Sequence, residues 1–291
     1  MLRRPIIALG FALAAAAWPS PARGAWILDA GIDARWEDNL TRSPKAPLAD
    51  TAMEVDLAAG RYLQVEEYTG LSLVATLHGE KYATYDRLDA VEAGIGATLR
   101  RRFGLGPEAW TAAMTLAGGQ SSVVDHYRSA RFAAAQVSLS RWFAERLSLD
   151  VSLAYDTRRP LETPPIDSYA TTPSDVYDLS GQSVAVEGGY LVGEEGIVTL
   201  RAAYRDGDIV SSVKPTKWVN KAAKAVTDDQ AFDQRIAYRI GARTTTLGVG
   251  YTHALFTGGS VSAGYEYRSS AADGGLSYTG SILRATLLYS F

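Results

Sequence analysis

The chain has 291 residues, 47% of them apolar, with no cysteine and a formal net charge of −3. The missing thiols exclude disulfides, thiolate metal sites, cysteine nucleophiles and a lipoprotein anchor, and the lack of a basic stripe excludes a nucleic-acid partner. Against 3 Met stand 16 Tyr, 6 Trp and 27 Gly, a balance that suits pleated strands better than helices.

Residues 1–24 read as an export signal. Arg3 and Arg4 precede an apolar run from Ile6 to Trp18, and Ala22 and Gly24 supply the small residues a signal peptidase reads, which places cleavage after Gly24. The run is short and ends in proline, so it does not suit a spanning helix. The twin arginines lack the longer context of a twin-arginine signal. Removing Arg3, Arg4 and Arg23 leaves the mature chain at about −6 (the full chain's −3 less three positive charges).

Residues 25–291 contain no apolar run long enough for a helix to cross a membrane. They alternate instead. Trp26, Leu28, Ala30, Ile32, Ala34 and Trp36 interleave with Ile27, Asp29, Gly31, Asp33, Arg35 and Glu37. One face suits lipid and the other water, the pattern of a transmembrane strand. It recurs at Met53–Leu57, Leu71–His78, Val91–Leu99, Trp110–Leu116, Ala135–Leu139 and Leu147–Asp156. It continues at Val184–Tyr190, Val198–Arg205, Leu247–Tyr251, Val261–Tyr267 and Leu283–Phe291. The expected fold is all-β: a closed antiparallel up-and-down barrel of about 12 strands, because lipid cannot satisfy an open sheet edge. Long links at 39–50, 82–90, 120–131, 159–182, 206–240 and 269–277 alternate with tight turns such as Phe143-Ala144-Glu145 and Gly193-Glu194-Glu195. A soluble sandwich does not explain this asymmetry. Long loops belong to the outer side of such barrels and tight turns to the periplasmic side.

The last strand, Leu283-Arg284-Ala285-Thr286-Leu287-Leu288-Tyr289-Ser290-Phe291, resembles the terminal strand of bacterial outer-membrane proteins handled by the barrel-assembly machinery. The resemblance makes Tyr289 and Phe291 the assembly signal and that machinery a partner during biogenesis. Trp36-Glu37-Asp38-Asn39-Leu40-Thr41-Arg42 looks like the first loop of porin-like barrels. The resemblance implies a location in the outer membrane, contact with its lipids and lipopolysaccharide, and a porin-like channel for small hydrophilic solutes or ions. A structural or accessory barrel serving another secreted component is the alternative, and a lipid-modifying enzyme is a third.

By this register the inward acids are Asp29, Asp33, Glu37, Glu54, Asp56, Glu92, Asp150, Asp156, Glu187 and Glu266. The inward bases are Arg35, Arg100, Arg201, Arg205, Arg268 and Arg284. The acids gather on the first four strands and the bases on the last four, and barrel closure brings Arg284 near Asp29 or Asp33. Two roles stay open: a salt-bridge network that props the wall, or a charged eyelet that selects solutes. Strands five, eight, ten and eleven point mostly Ala, Gly, Ser and Thr inward, which leaves room for water.

Two long loops bear on that room. Pro160–Gln182 carries Glu162, Asp167, Asp175 and Asp178. Asp206–Asp229 carries Lys214, Lys217, Lys221 and Lys224, with a short helix expected over Trp218–Ala225. The loops either stay in solvent, attract each other across the pore, or present lysines to lipopolysaccharide phosphates. The phospholipase barrels share a His-x-Ser pair, and neither His78, His126 nor His253 stands in one. The residual catalytic candidate is His126 with Asp125 near Ser121 and Ser122. Asp38 and Asn39 fall short of a calcium cage. No catalytic residue, metal or cofactor is expected.

Overall fold

The computed structural model describes residues 25–164, 175–215 and 223–291. The expected signal segment therefore lies outside the described residues. Alternation becomes pairing as the period predicts. Nine strands follow in order: β1 (Trp26–Glu37), β2 (Asp50–Glu66), β3 (Thr69–Tyr82), β4 (Ala90–Phe103), β5 (Trp110–Val123), β6 (Ala130–Phe143), β7 (Leu147–Pro160), β8 (Leu179–Val192) and β9 (Gly196–Val213). A short β10 (Ala225–Asp228) precedes β11 (Ile236–Phe256), β12 (Gly259–Ala272) and β13 (Leu276–Ser290). All neighbours are antiparallel. β13 pairs with β1 from Asp29↔Ser290 to Glu37↔Ile282, and β9 pairs with β11, so twelve strands close a barrel with no free edge. β10 lies outside that ring and pairs with the start of β11.

Closure satisfies the backbone within the wall, and the side chains then sort by parity. Leu28, Ile32, Val55, Leu57, Ile95, Leu116, Leu153, Leu200, Leu247 and Leu287 all point outward and are exposed. A surface this apolar on all sides needs lipid around it. Trp26, Phe103, Trp110, Tyr190, Tyr251, Phe256, Tyr289 and Phe291 ring the barrel at the end of the tight turns, where amphipathic rings sit at a membrane interface. The turns at that end need left-handed backbone. Gly193 has φ 68° and Gly258 φ 83°, while Ala144 accepts the same conformation at φ 54°.

The opposite end departs from the sequence expectation. The links expected at 206–240 and 269–277 are shorter, because the strands run on past the apolar band. β9 reaches Val213, β11 starts at Ile236, and only Asp273–Gly275 join β12 to β13. Polar outward positions such as Arg243, Ser269, Ser277 and Thr279 hid these extensions from a search for apolar alternation. Of the helix expected over 218–225, residues 218–222 lie outside the described residues, and Ala225 opens β10 instead.

The closing seam continues to the last residue. Phe291 N–H donates to the Leu28 carbonyl at 2.9 Å, and its ring meets Tyr289 edge-on at 4.6 Å. Deleting Phe291 removes both contacts from the strand that must pair last. The expected result is normal export with poor insertion and degradation, read as outer-membrane and periplasmic levels by immunoblot. Normal outer-membrane levels would overturn the assembly role of Phe291.

Candidate functional site

Across β13, β1, β2 and β3 the inner wall is a checkerboard of charge. In the register Arg35 lies opposite Arg284, Asp33 opposite Glu54, and Glu54 opposite Glu80. Like charges placed directly opposite repel, and diagonal reach resolves the conflict. Arg35 Nε meets Glu54 at 2.9 Å, its Nη2 pairs with Glu80 and donates to the Tyr82 hydroxyl at 2.9 Å, and Nη1 stands 3.8 Å from Glu37. Arg284 lies 3.5 Å from Glu54 and 3.8 Å from Asp33. Asp33 also accepts from the Thr286 hydroxyl. Arginine suits this role because its fork of donors serves several carboxylates at once.

Several of the remaining inward charges pair locally. Asp156 meets Arg205 at 2.8 Å, Glu187 meets Arg201 at 3.4 Å, Glu266 meets Arg268 at 3.1 Å, and Asp56 meets His78 at 2.7 Å. Asp29, Glu92, Asp150 and Arg100 also occupy inward positions on β1, β4, β7 and β4. Two opposed walls of single sign do not form. Arg35 sits inside the acidic group and Arg284 reaches into it, while Asp156 and Glu187 hold the arginines of β9. Several of these groups still meet water. The side chain of Asp56 is 43% exposed, that of Glu187 33% and that of Arg201 29%.

The small inward residues leave less room than their size suggests. A Cβ on Gly119 or Gly94 would crowd the Phe132 ring, and Arg205 covers Gly181 and Gly207. Long side chains therefore lie flat along the glycine stretches of the wall.

Among the described residues, loop segments and strand ends pack together at the outer mouth. The ends of β9 and β11 curl together, and Ile209, Val213, Ile236, Tyr238, Ile240 and Tyr278 pack into an apolar cluster. Phe232 and Ala231 cross to Leu40, Ala52, Tyr82 and Leu88, and Val176 and Tyr177 pack on Val210, Ala225 and Ala237. Backbone ties reinforce the crossing: Ser212 N–H donates to the Thr41 carbonyl at 2.8 Å, and Arg235 donates to the carbonyls of Ser212 and Ala46 at 2.9 and 2.7 Å. Burial pushes the Arg235 guanidinium down from its ordinary value, against the pull of Tyr85 and Asp229.

Arg128 holds these pieces together. It bonds Asp125 at 2.8 Å and Asp229 at 2.6 Å, with its guanidinium 4.8 Å from the Tyr177 ring centroid. The three side chains are 4%, 1% and 0% exposed. Burial alone would lower the Arg128 pKa. The Asp229 carboxylate, Tyr177 and Asp125 more than offset that, and the net direction is upward. Burial raises the Tyr177 phenol, and Arg128 opposes the rise. Arg42 reaches inward from the first loop. Burial pushes it down to about 10 against the pull of Glu37, and repulsion from Arg268 and Arg205 adds to the fall.

The long loops thus differ from two solvated loops in the part the structure describes. Asp178 pairs with Arg159 and lies 3.9 Å from Arg239, and Lys224 pairs with Asp208 at 2.7 Å. Their acids and lysines do not meet among the described residues. Asp167, Lys217 and Lys221 lie outside those residues. The catalytic candidate is not assembled either. Asp125 turns to Arg128, His126 stands 3.6 Å from Glu162, Ser121 is buried facing inward and Ser122 points outward. Asp38 and Asn39 brace the first loop instead. Asp38 accepts from Ser281 N–H at 2.7 Å, and Asn39 donates to the Thr279 carbonyl at 2.7 Å.

Sequence reasoning missed Glu80, Tyr82, Arg42, Arg128, Asp229 and Arg235. Glu80 and Tyr82 continue the inward parity of Ser72 to His78, so extending the period by two steps finds them. The other four sit in loops, where no period applies.

No family model matches the sequence, and no curated protein matches it. Solved structures do match. An outer-membrane channel from Pseudomonas putida F1 aligns with a TM-score of 0.54 at 11% identity, over 94% of this chain and 97% of that one. The NanC porin aligns at 0.47 and 10% identity over 91% and 100% of the two chains. The DcaP outer-membrane channel of Acinetobacter baumannii aligns at 0.46 and 8% identity over 94% and 99%. The Pseudomonas alignment shows a shared barrel fold.

Proposed function

We propose that this barrel is an outer-membrane channel for passive passage of small hydrophilic solutes or ions. The observation that carries the reading is a charged inner wall that water reaches inside a shell that is apolar outside. Asp56, Glu187 and Arg201 face inward yet keep a quarter or more of their side-chain surface accessible. A barrel whose lumen served only as a structural strut would gain stability by filling that space. Its likeness in fold to a channel adds an analogy only, since one fold hosts many functions.

Pores take their sign preference from wall charge. The inward carboxylates outnumber the inward arginines, so the pore prefers cations modestly, and high salt erases the preference by screening. Glu54 balances both Arg35 and Arg284. Changing Glu54 to Gln together with Asp56 to Asn uncovers those arginines and shifts the reversal potential across a salt gradient toward anions. Asp175→Asn, in an outer loop where the carboxylate meets Thr163, leaves the potential nearly unchanged. Anion preference in the unmodified barrel would overturn the wall-charge argument. Absence of any conductance, in this form and in a form with the mouth opened, would overturn the channel reading.

A further inference from the structure

The lipid-facing surface is not uniform around its tight-turn end. On β2, β4 and β6 an outward arginine lies beside an outward aromatic ring. The Arg61 guanidinium carbon is 5.7 Å from the Trp26 ring centroid and that of Arg101 is 5.9 Å from Phe103. Arg141 lies between two rings, 5.4 Å from Trp110 and 5.0 Å from Phe143. The other half of the girdle, with Tyr190, Tyr251 and Tyr289, shows no arginine over a ring among the described residues.

These three arginines are loosely held by the protein. Arg101 stands 3.8 Å from Glu66, Arg141 stands 4.0 Å from Glu108, and no ion pair involves Arg61 among the described residues. Such separations exceed the reach of a charge-assisted hydrogen bond. Arg141 Nε is buried without an acceptor in the protein. The rings fix the guanidinium planes while their outer donors stay available. The alternate strands, with Arg101 four residues further along than the position level with Arg61, set neighbouring arginine positions roughly 10–16 Å apart. That spacing gives each arginine its own headgroup rather than one shared by all three.

We infer that Arg61, Arg101 and Arg141 form a one-sided belt that binds the phosphates of anionic phospholipids in the leaflet at the tight-turn end. Trp26 lies directly across from Arg61, and Phe103 and Phe143 lie two residues nearer the turns than Arg101 and Arg141. Each guanidinium therefore stands within the interfacial aromatic girdle, where its planar fork suits phosphate oxygens. The inference needs the barrel to lie in a membrane but does not need it to conduct.

Two of the rings report on the sites once Trp36, Trp142 and Trp218 are replaced by Phe, because Trp26 and Trp110 lie beside Arg61 and Arg141. The full barrel is reconstituted in vesicles of brominated phosphatidylglycerol mixed with phosphatidylcholine, and in the reverse mixture, and tryptophan quenching gives the relative binding constant. The expected preference for phosphatidylglycerol is roughly fivefold per arginine site at low salt, falling toward one at high salt. Replacing Arg61, Arg101 and Arg141 together by Gln brings the ratio to about one, and replacing them by Lys restores part of it as a point charge does. Arg87→Gln, at the opposite end, leaves it unchanged. Equal quenching by the two lipids in the unmodified barrel would overturn the belt, as would a preference surviving the Gln changes. If the Gln form fails to fold, a Lys form that exceeds the unmodified barrel in preference would also overturn it. Failure of the unmodified barrel to insert into either vesicle would overturn the membrane reading itself.

Discussion

Arg128→Ala opens the outer mouth. The change leaves Asp125 and Asp229 buried beside each other without their cation, and breaking a buried ion pair from one side costs about 3–5 kcal/mol. Asp229 also accepts from Ala231 N–H at 3.0 Å and from the Ser212 hydroxyl, so the loss spreads to both ends of the crossing segment. Expressed as local opening, that energy is a rise of roughly 10² to 4 × 10³ in hydrogen exchange at the amides of Ser212 and Ala231. The same variant should show larger single-channel conductance if the segment limits flow. Because the raised Arg128 pKa keeps its charge, the clamp is fully present below the ordinary guanidinium value. It is lost only as pH rises through the still higher folded value, so neutral and mildly acidic pH do not release it through Arg128. Unchanged exchange at Ser212 and Ala231 would show that apolar packing alone holds the mouth.

A second large effect belongs to the wall. Val151 faces outward and Ser152 inward on β7. Val151→Arg puts a cation in hydrocarbon and costs about 2–4 kcal/mol if the site lies near the membrane midplane. Ser152→Arg enters a lumen already lined with carboxylates and costs far less. Reversible folding into lipid vesicles, followed against urea, separates the two. Equal costs would mean that the side facing lipid has been misassigned.

Most of the wall was legible because a barrel strand writes its two environments on alternate residues. From Trp26 to Glu37 the inward and outward sets fall as the alternation demands, and Arg284 reaches Asp33 as closure requires. The pattern fades where the outside is no longer lipid. Arg243, Ser269 and Thr279 face outward above the apolar band, so strands there look like loops. The site was half legible for a related reason. Parity says that Asp156 and Arg205 face the lumen, but not that they meet. Their pairing depends on the cross-strand register, which links β7 to β9 through β8. Arg128 and Asp229 are 101 residues apart in loops, and no periodicity connects them. Inward acids still gather on β1–β4 and inward arginines on β9, β12 and β13, but long guanidinium side chains reach diagonally to neighbouring strands, so neither wall carries a single sign.

The seam between the first and last strands carries a kinetic consequence. Most neighbouring strands are joined in sequence and can zip as hairpins at small entropic cost, whereas Asp29 and Ser290 meet only after nearly the whole chain has been brought round. The Arg284 contacts with Asp33 and Glu54 lie across that seam. They therefore form after the transition state if closure is the final step, and act as a brake on escape rather than a spur to assembly. Opening the barrel first requires those late contacts to break, so residence time in the folded state depends on a handful of charges that contribute little to the speed of reaching it.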